Sequence, residues 1–141
     1  MANKKQQLDS LRSVALFSAC SKKELEKVAK ATDEVSMPAG KMIMDQGRLG
    51  REAFIVVDGE VVVKRNNRKV ATLGPGSVVG EMSLLDKGPR TATVICDTDC
   101  TLLVIDHRRF MAVIDTIPSI THKLMEGLAG RVRDLDRQYY G

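Results

Sequence analysis

Residues 80–94 combine groups that can bind an oxyanion beside a hydroxyl. Gly80 and Glu81 open about one predicted helical turn, Glu81–Leu85, and after a turn Arg90 follows at the start of an apolar segment. Unpaired N–H groups in a helix's first turn attract anions, and an arginine fork makes charge-assisted contacts with phosphate oxygens. An ionised glutamate only accepts hydrogen bonds, so Glu81 suits a neighbouring hydroxyl. The segment therefore predicts a pocket for a sugar phosphate.

Signs of catalytic or metal chemistry are weak elsewhere. The two histidines have no second ligand type at metal spacing, and Cys20, Cys96 and Cys100 contain no CxxC pair. The sequence has no GxSxG, HExxH or Walker motif, and nothing beside Arg90 supplies a metal or a nucleophile. We therefore expect a binding protein without enzymatic activity, cofactor or metal, in a reducing cytoplasm.

The centre of the chain has the pattern of short strands joined by turns. Eight of its 11 glycines lie between Gly40 and Gly88, among Val/Ile-rich runs. The Asp58-Gly59 pair predicts a hairpin, and Asn66-Asn67 predicts another. The predicted strands are Glu34–Met37, Lys41–Asp45, Ala53–Val57, Glu60–Arg65, Lys69–Leu73, Thr91–Cys96 and Thr101–Ile105. They indicate an antiparallel jelly-roll barrel over residues 34–105.

Both ends of the chain are predicted to be helical. Apolar residues recur at steps of three and four within residues 8–30, where Ser21 and Glu24 form a capping-box pattern. Asp106 can cap a short helix through Val113, and Pro118 fits a helical first turn. The last helix carries an apolar stripe: Ile117, Ile120, Leu124, Leu128, Val132 and Leu135. The expected fold is one α+β (mainly β) domain over residues 1–141, with helices over 8–30 and 106–137 flanking the barrel.

Composition and charge exclude several classes of protein. Apolar residues make up 43% of the 141 residues and charged residues 28%, as in globular domains. No apolar run is long enough to span a membrane. The net charge of +4 divides into +4 over residues 1–30, −2 over 31–106 and +2 over 107–141. Because the basic excess is confined to the ends and aromatic residues are few, direct nucleic-acid binding is not expected.

The segment Gly80-Glu81-Met82-Ser83-Leu84-Leu85, followed by Pro89-Arg90-Thr91-Ala92, closely resembles the phosphate-binding cassette of cyclic nucleotide-binding domains. That family includes the catabolite activator regulators and the regulatory subunits of cAMP-dependent kinase. Residues 54–61 are similar to the family's central hairpin, and residues 73–80 to its approach to the cassette. The resemblance extends from about Leu11 to the C-terminal helix.

The resemblance implies a role for each matching residue. Arg90 would pair with the cyclic phosphate, with support from the backbone N–H groups of Ser83 and Ala92 and from the Ser83 hydroxyl. Glu81 and the Gly80 backbone would hold the ribose 2′-hydroxyl. The sugar and base would pack on Val63, Val70, Val79 and Met82. Thr91 favours a guanine base, although many bacterial relatives with Ser or Thr there bind cAMP, so cAMP is expected over cGMP.

The resemblance also implies a regulatory role. In the family, nucleotide binding reorients the C-terminal helix, and Leu135 and Asp136 lie about where lid contacts fall. Because the sequence ends at Gly141, we expect the output to come from an effector protein or from a homodimer formed through the last helix. Two alternatives stay open: the N-terminal sensor part of a DNA-binding regulator, and a protein-interaction module with a non-functional pocket.

Overall fold

The computed structural model describes residues 4–140, except for the side chain of Tyr140. Five α-helices and eight strands follow one another along the chain. The helices are α1 Lys4–Arg12, α2 Lys22–Lys30, α3 Glu81–Asp86, α4 His107–Thr116 and α5 Pro118–Tyr140, with a short 3₁₀ helix at Ala15–Phe17. The strands are β1 Asp33–Met37, β2 Met42–Met44, β3 Glu52–Asp58, β4 Val61–Arg65, β5 Arg68–Leu73, β6 Val78–Val79, β7 Thr93–Cys96 and β8 Cys100–Asp106.

The strands form two antiparallel four-stranded sheets that enclose the barrel. One sheet has the order β1-β8-β3-β6 and the other β2-β7-β4-β5. Apolar residues of both sheets meet in an inner cluster that includes Phe54, Val61, Val94 and Leu102. This arrangement confirms the predicted α+β barrel flanked by helices, although α5 alone has 23 residues and "mainly β" understates the helices.

A second, outer cluster fixes the helices on the first sheet. Alternate residues of β3 and β8, such as Ile55 and Leu103, face away from the barrel and pack with α1, α2, α4 and the start of α5. Leu84 of α3 belongs to this outer cluster, so α3 is anchored on the helical side of the sheet. The segment at residues 80–94, called the cassette below, is therefore held between two apolar cores.

Several predicted local features agree with the structure. The Ser21 hydroxyl accepts from the Glu24 amide and the Glu24 carboxylate accepts from the Ser21 amide, which completes the capping box of α2. Asp106 caps α4 by accepting from the Arg109 amide at 2.8 Å. Asn66 and Asn67 both have positive φ at the β4–β5 turn.

The predicted hairpin at Asp58-Gly59 and several predicted boundaries were wrong. β3 and β4, which flank Asp58-Gly59, belong to different sheets and do not pair. The two-residue strand β6 was missed, because so short a run carries no period. Thr91 and Ala92 form a bend, and β7 begins only at Thr93, because Arg90 is held by the loop at residues 47–48 rather than by a strand. α4 continues to Thr116, beyond Val113. None of the helices within residues 4–140 is long and apolar enough to cross a membrane.

Candidate functional site

A left-handed glycine joins β6 to the cassette helix. Gly80 has φ of +89° and precedes α3 as its N-cap residue. A Cβ at this position would lie 2.7 Å from Nη1 of Arg90 and 2.9 Å from the carbonyl oxygen of Glu52. Glycine is therefore required here both for its backbone conformation and for the close approach of the arginine.

Arg90 is buried and is held from both its backbone and its side chain. Its amide donates to the carbonyl of Arg48 at 2.8 Å, and its carbonyl accepts from the amide of Gly47 at 2.9 Å. Its guanidinium donates from Nη1 to the Gly80 carbonyl at 3.1 Å and from Nη2 to the Glu52 carbonyl at 2.7 Å. These bonds fix the direction in which the fork points.

The Arg90 guanidinium has no ion-pair partner among residues 4–140. The residue is only 6% exposed, yet no carboxylate within residues 4–140 forms an ion pair with it. Burial lowers the pKa of the Arg90 guanidinium, because an apolar environment disfavours the charged form, and the charge of the Glu52 carboxylate acts less strongly in the opposite direction. A buried cation without a paired carboxylate is unfavourable. The site is consequently suited to receive an anion.

Gly50 is a site residue that the sequence analysis missed. The Arg90 side chain lies directly over its Cα, and a Cβ there would overlap the Nε, Cζ and Nη2 atoms. Its φ is not in the left-handed region, so glycine is needed here to leave room for the Arg90 side chain and not for its backbone conformation. Among eight glycines in a turn-rich region, the sequence held no signal that distinguished this one.

Glu81, the first residue of α3, is buried and is paired with the last helix. Its carboxylate accepts from Nη2 of Arg131 at 2.9 Å, and its side chain is 10% exposed against 54% for Arg131. This ion pair joins the cassette to α5 across 50 residues of sequence. Arg131 was missed because nothing in an exposed helical stretch reveals which distant carboxylate an arginine meets.

The other predicted site residues fall into buried and exposed groups. Val63, Val79 and Ala92 all belong to the inner barrel cluster. By contrast, Val70 is 52% exposed, at an irregularity of the β4–β5 pairing. Met82 and Thr91 are exposed at the surface beside the cassette.

Ser83 is buried at 6% exposure on α3. The predicted lid residues Leu135 and Asp136 are exposed on the distal part of α5 and line neither of the two cavities beside the cassette. The first of these cavities, about 530 Å³, lies between the 3₁₀ helix and α5 and is walled by the Glu81–Arg131 pair. In this structure, α5 therefore meets the cassette at Arg131, one turn before the predicted lid positions.

Comparison with known proteins places this geometry in a family. The model of the cyclic nucleotide-binding domain matches residues 34–116. The cyclic AMP receptor protein of Thermus thermophilus is 35% identical over 126 residues, which are 86% of this chain and 58% of that protein. A cAMP-dependent protein kinase regulatory subunit of Eremothecium gossypii is 32% identical over 114 residues, which are 78% of this chain and 25% of that protein.

Solved structures give the same result. The catabolite activator protein of Thermus thermophilus has a TM-score of 0.83 and 34% identity, covering 88% of this chain and 61% of that one. The regulatory domain of Toxoplasma gondii PKA, crystallised with cAMP, has a TM-score of 0.73 and 29% identity, covering 80% and 46%. The chain thus spans between about a quarter and three fifths of the length of these relatives.

Proposed function

The chain belongs to the cyclic nucleotide-binding domain family, and from that premise we propose that it binds a 3′,5′-cyclic nucleotide at the cassette, residues 80–94. The whole of residues 1–141 serves as this one sensor domain, and no chemical step follows binding. Its named relatives include a cyclic AMP receptor protein and a kinase regulatory subunit, which are regulators rather than catalysts of nucleotide chemistry.

The observation that carries the proposal is the buried guanidinium of Arg90, which makes no ion pair with any carboxylate of residues 4–140. Two of the five N–H donors of its guanidinium bond to the carbonyls of Gly80 and Glu52. The remaining donors are available to a phosphodiester, which carries one negative charge and two free oxygens. Backbone amides of Ser83 and Ala92 complete the phosphate site, and Glu81 with the Gly80 backbone accepts the ribose 2′-hydroxyl.

The proposed walls of the pocket offer few polar groups that would discriminate between bases. Val63 and Val79 offer an apolar floor from the barrel, and the exposed side chains of Val70 and Met82 become covered when the nucleotide packs on them. Thr91 would favour guanine through one hydrogen bond, which contributes only about 1 kcal/mol and does not by itself fix the specificity. We propose cAMP as the preferred ligand, because the named relatives include a cyclic AMP receptor protein and a cAMP-dependent kinase regulatory subunit.

Calorimetric titration with cAMP, cGMP and 5′-AMP tests this function. Arg90→Ala removes a charged hydrogen-bonding group and should weaken cAMP binding by about 1.5–3 kcal/mol, or roughly 10- to 150-fold. Arg65→Ala, at an exposed arginine at the end of β4 with no ion pair within residues 4–140, is the matched control and should bind as the wild type does. If neither cyclic nucleotide binds at high micromolar concentration, the proposal is wrong.

The Glu81–Arg131 pair suggests how binding would reach the last helix. A ribose hydroxyl that bonds to Glu81 adds a second partner to the carboxylate that already holds α5. Nucleotide occupancy would therefore change how strongly α5 is fastened to the cassette. An effector protein that recognises α5, or a second copy of the chain, would respond to this change.

A homodimer through α5 is the arrangement we favour. Beyond residue 128 the described side chains of α5 are exposed, and five apolar residues recur along it at steps of three and four, as in a coiled-coil seam. They are Met125, Leu128, Val132, Leu135 and Tyr139. Sedimentation equilibrium should show a dimer that Val132→Glu converts to a monomer and that Arg133→Glu, on a neighbouring face, leaves intact.

Two alternatives from the sequence remain as competing proposals. As the sensor part of a DNA-binding regulator, the domain would occur in a longer reading frame, in keeping with its match to 58% of the Thermus thermophilus receptor. As an interaction module with a non-functional pocket, it would fail the titration despite correct folding. A reducing cytoplasm remains the proposed compartment, supported by three free thiols that are all buried, and direct nucleic-acid or membrane binding is not part of the proposal.

A further inference from the structure

A second cavity lies behind the cassette, on the helical side of the first sheet. It has a volume of about 570 Å³, within the range of small-molecule sites. Its lining residues are Leu49, Gly50, Arg51, Ser83, Leu84, Lys87, Asp106, His107 and Arg108. Leu84 packs in the outer cluster, whereas Val63, Val79 and Ala92 pack in the inner one, so this rear groove is separate from the barrel side of the cassette.

The wall of the rear groove is cationic. Arg51, Lys87 and Arg108 come from three different segments, and none of them forms an ion pair with a carboxylate in the part of the chain that the structure describes. The one carboxylate in the wall is Asp106. It is already engaged, accepting from the amide of Arg109 at 2.8 Å and from its Nε at 3.0 Å. Positive charge therefore predominates in the groove.

A hydroxyl in the same wall is open to the groove. Ser83 is only 6% exposed as a residue, and its hydroxyl makes no hydrogen bond to any residue between 4 and 140. Because no side-chain oxygen of the described residues is both fully buried and unpaired, this hydroxyl reaches the surface of the groove, where it can donate to a ligand oxygen. The cations and this hydroxyl are independent observations, and both favour an acceptor-rich ligand.

We propose that the rear groove is a second anion site, which binds a small, multiply charged oxyanion with phosphoryl or carboxylate oxygens. Arg51, Lys87 and Arg108 supply the charge, Ser83 donates a hydrogen bond, and Leu84 closes the apolar base of the groove. The site shares Ser83 with the cassette and includes Gly50, which packs against Arg90, but does not include Arg90 in its wall.

Amide chemical shifts recorded during titration with inorganic pyrophosphate, and separately with citrate, test the site. Ionic strength is held constant with sodium chloride, because non-specific attraction is screened by salt. We expect saturable shifts in residues 49–51, 83–87 and 107–108 for the preferred anion. The arm with the lower Kd identifies phosphoryl or carboxylate as the preferred group.

Variants separate a built site from diffuse charge. The double substitution Arg51→Ala/Arg108→Ala should weaken binding at least tenfold, whereas Arg65→Ala/Arg68→Ala, on the exposed β4–β5 hairpin, should not change it. If the spectrum of the Arg51→Ala/Arg108→Ala protein shows that it is unfolded, the two single variants are measured instead, and each should bind the anion several-fold more weakly than wild type. Three results would overturn the proposal: an equal loss of anion affinity in both double variants, chemical-shift changes centred on Arg90 and Ala92, or shifts that do not saturate. The upper limit of the titration is about 10 mM anion, ten times a Kd of about 1 mM.

Discussion

The absence of a side chain at Gly50 is predicted to position Arg90, the arginine that we propose as the phosphate ligand. In Gly50→Ala, the new methyl group would occupy the space of the Arg90 guanidinium. Because the atoms it meets are the far end of a flexible side chain, the arginine swings away and the backbone stays in place. The two hydrogen bonds that its guanidinium donates, to the carbonyl of Gly80 at 3.1 Å and to that of Glu52 at 2.7 Å, are then lost.

The expected loss follows from those bonds. A hydrogen bond to a charged group contributes about 1.5–3 kcal/mol, so a displaced guanidinium should weaken cAMP binding by roughly 10- to 150-fold, nearly as much as Arg90→Ala. The free energy of unfolding should also fall, by about 1–3 kcal/mol, because the displaced guanidinium leaves the carbonyls of Gly80 and Glu52 without this donor, although alanine itself fits a φ outside the left-handed region.

Calorimetry on four proteins tests this reasoning: wild type, Gly50→Ala, Arg90→Ala and the double variant. Gly50→Ala should have no further effect once Arg90 is absent, since both substitutions remove the same interaction. Gly74→Ala is the matched control, because a Cβ at Gly74 has no neighbour within 4 Å. Wild-type affinity in Gly50→Ala, or full additivity in the double variant, would refute the mechanism.

Two further predictions concern stability and thiol reactivity. The hydrogen bond from Arg109 at 2.7 Å lowers the pKa of the Asp33 carboxyl below its ordinary 3.8. The pair therefore stabilises the fold above pH 3.8, and this stabilisation is lost as the pH falls through the lowered pKa. Urea denaturation should show Arg109→Gln destabilised at pH 7 and closer to wild type at pH 3, and a difference independent of pH would contradict this. Burial, together with the neighbouring Cys100, raises the pKa of the Cys96 thiol to about 11. A disulfide reagent at pH 8 should therefore label this thiol slowly in the native protein and fast in urea. Rapid labelling of the native protein would contradict the prediction, because it would show that the thiol is accessible.

Local patterns were sufficient to predict most of the elements. Ser21 with Glu24, Asp106 and the Asn66-Asn67 turn act on groups within a few residues, so their types alone predict the caps and the hairpin that the structure contains. Residues 78–79 had no such signal. Two residues become a strand only because β3 offers its edge to them, with Phe54 opposite Val79.

The candidate site divides in the same way. The order of Gly80, Glu81 and Arg90 along the chain was enough to predict an anion pocket and its family. Three other parts of the site lie far from Arg90 in sequence: Gly50 by 40 residues, Glu52 by 38 and Arg131 by 41. Only the fold brings Gly50 and the Glu52 carbonyl against the Arg90 side chain, and Arg131 against Glu81.

The sequence by itself determined which groups are chemically able to hold a phosphate, because charge, hydrogen-bonding capacity and backbone freedom belong to residue types. Only the tertiary structure decided which of those groups are left without a partner. Burial removes the water that would otherwise solvate Arg90, and the packing of distant segments determines that this cation meets carbonyls rather than a carboxylate. The need for an anion therefore arises from the fold, while the capacity to bind it is encoded residue by residue.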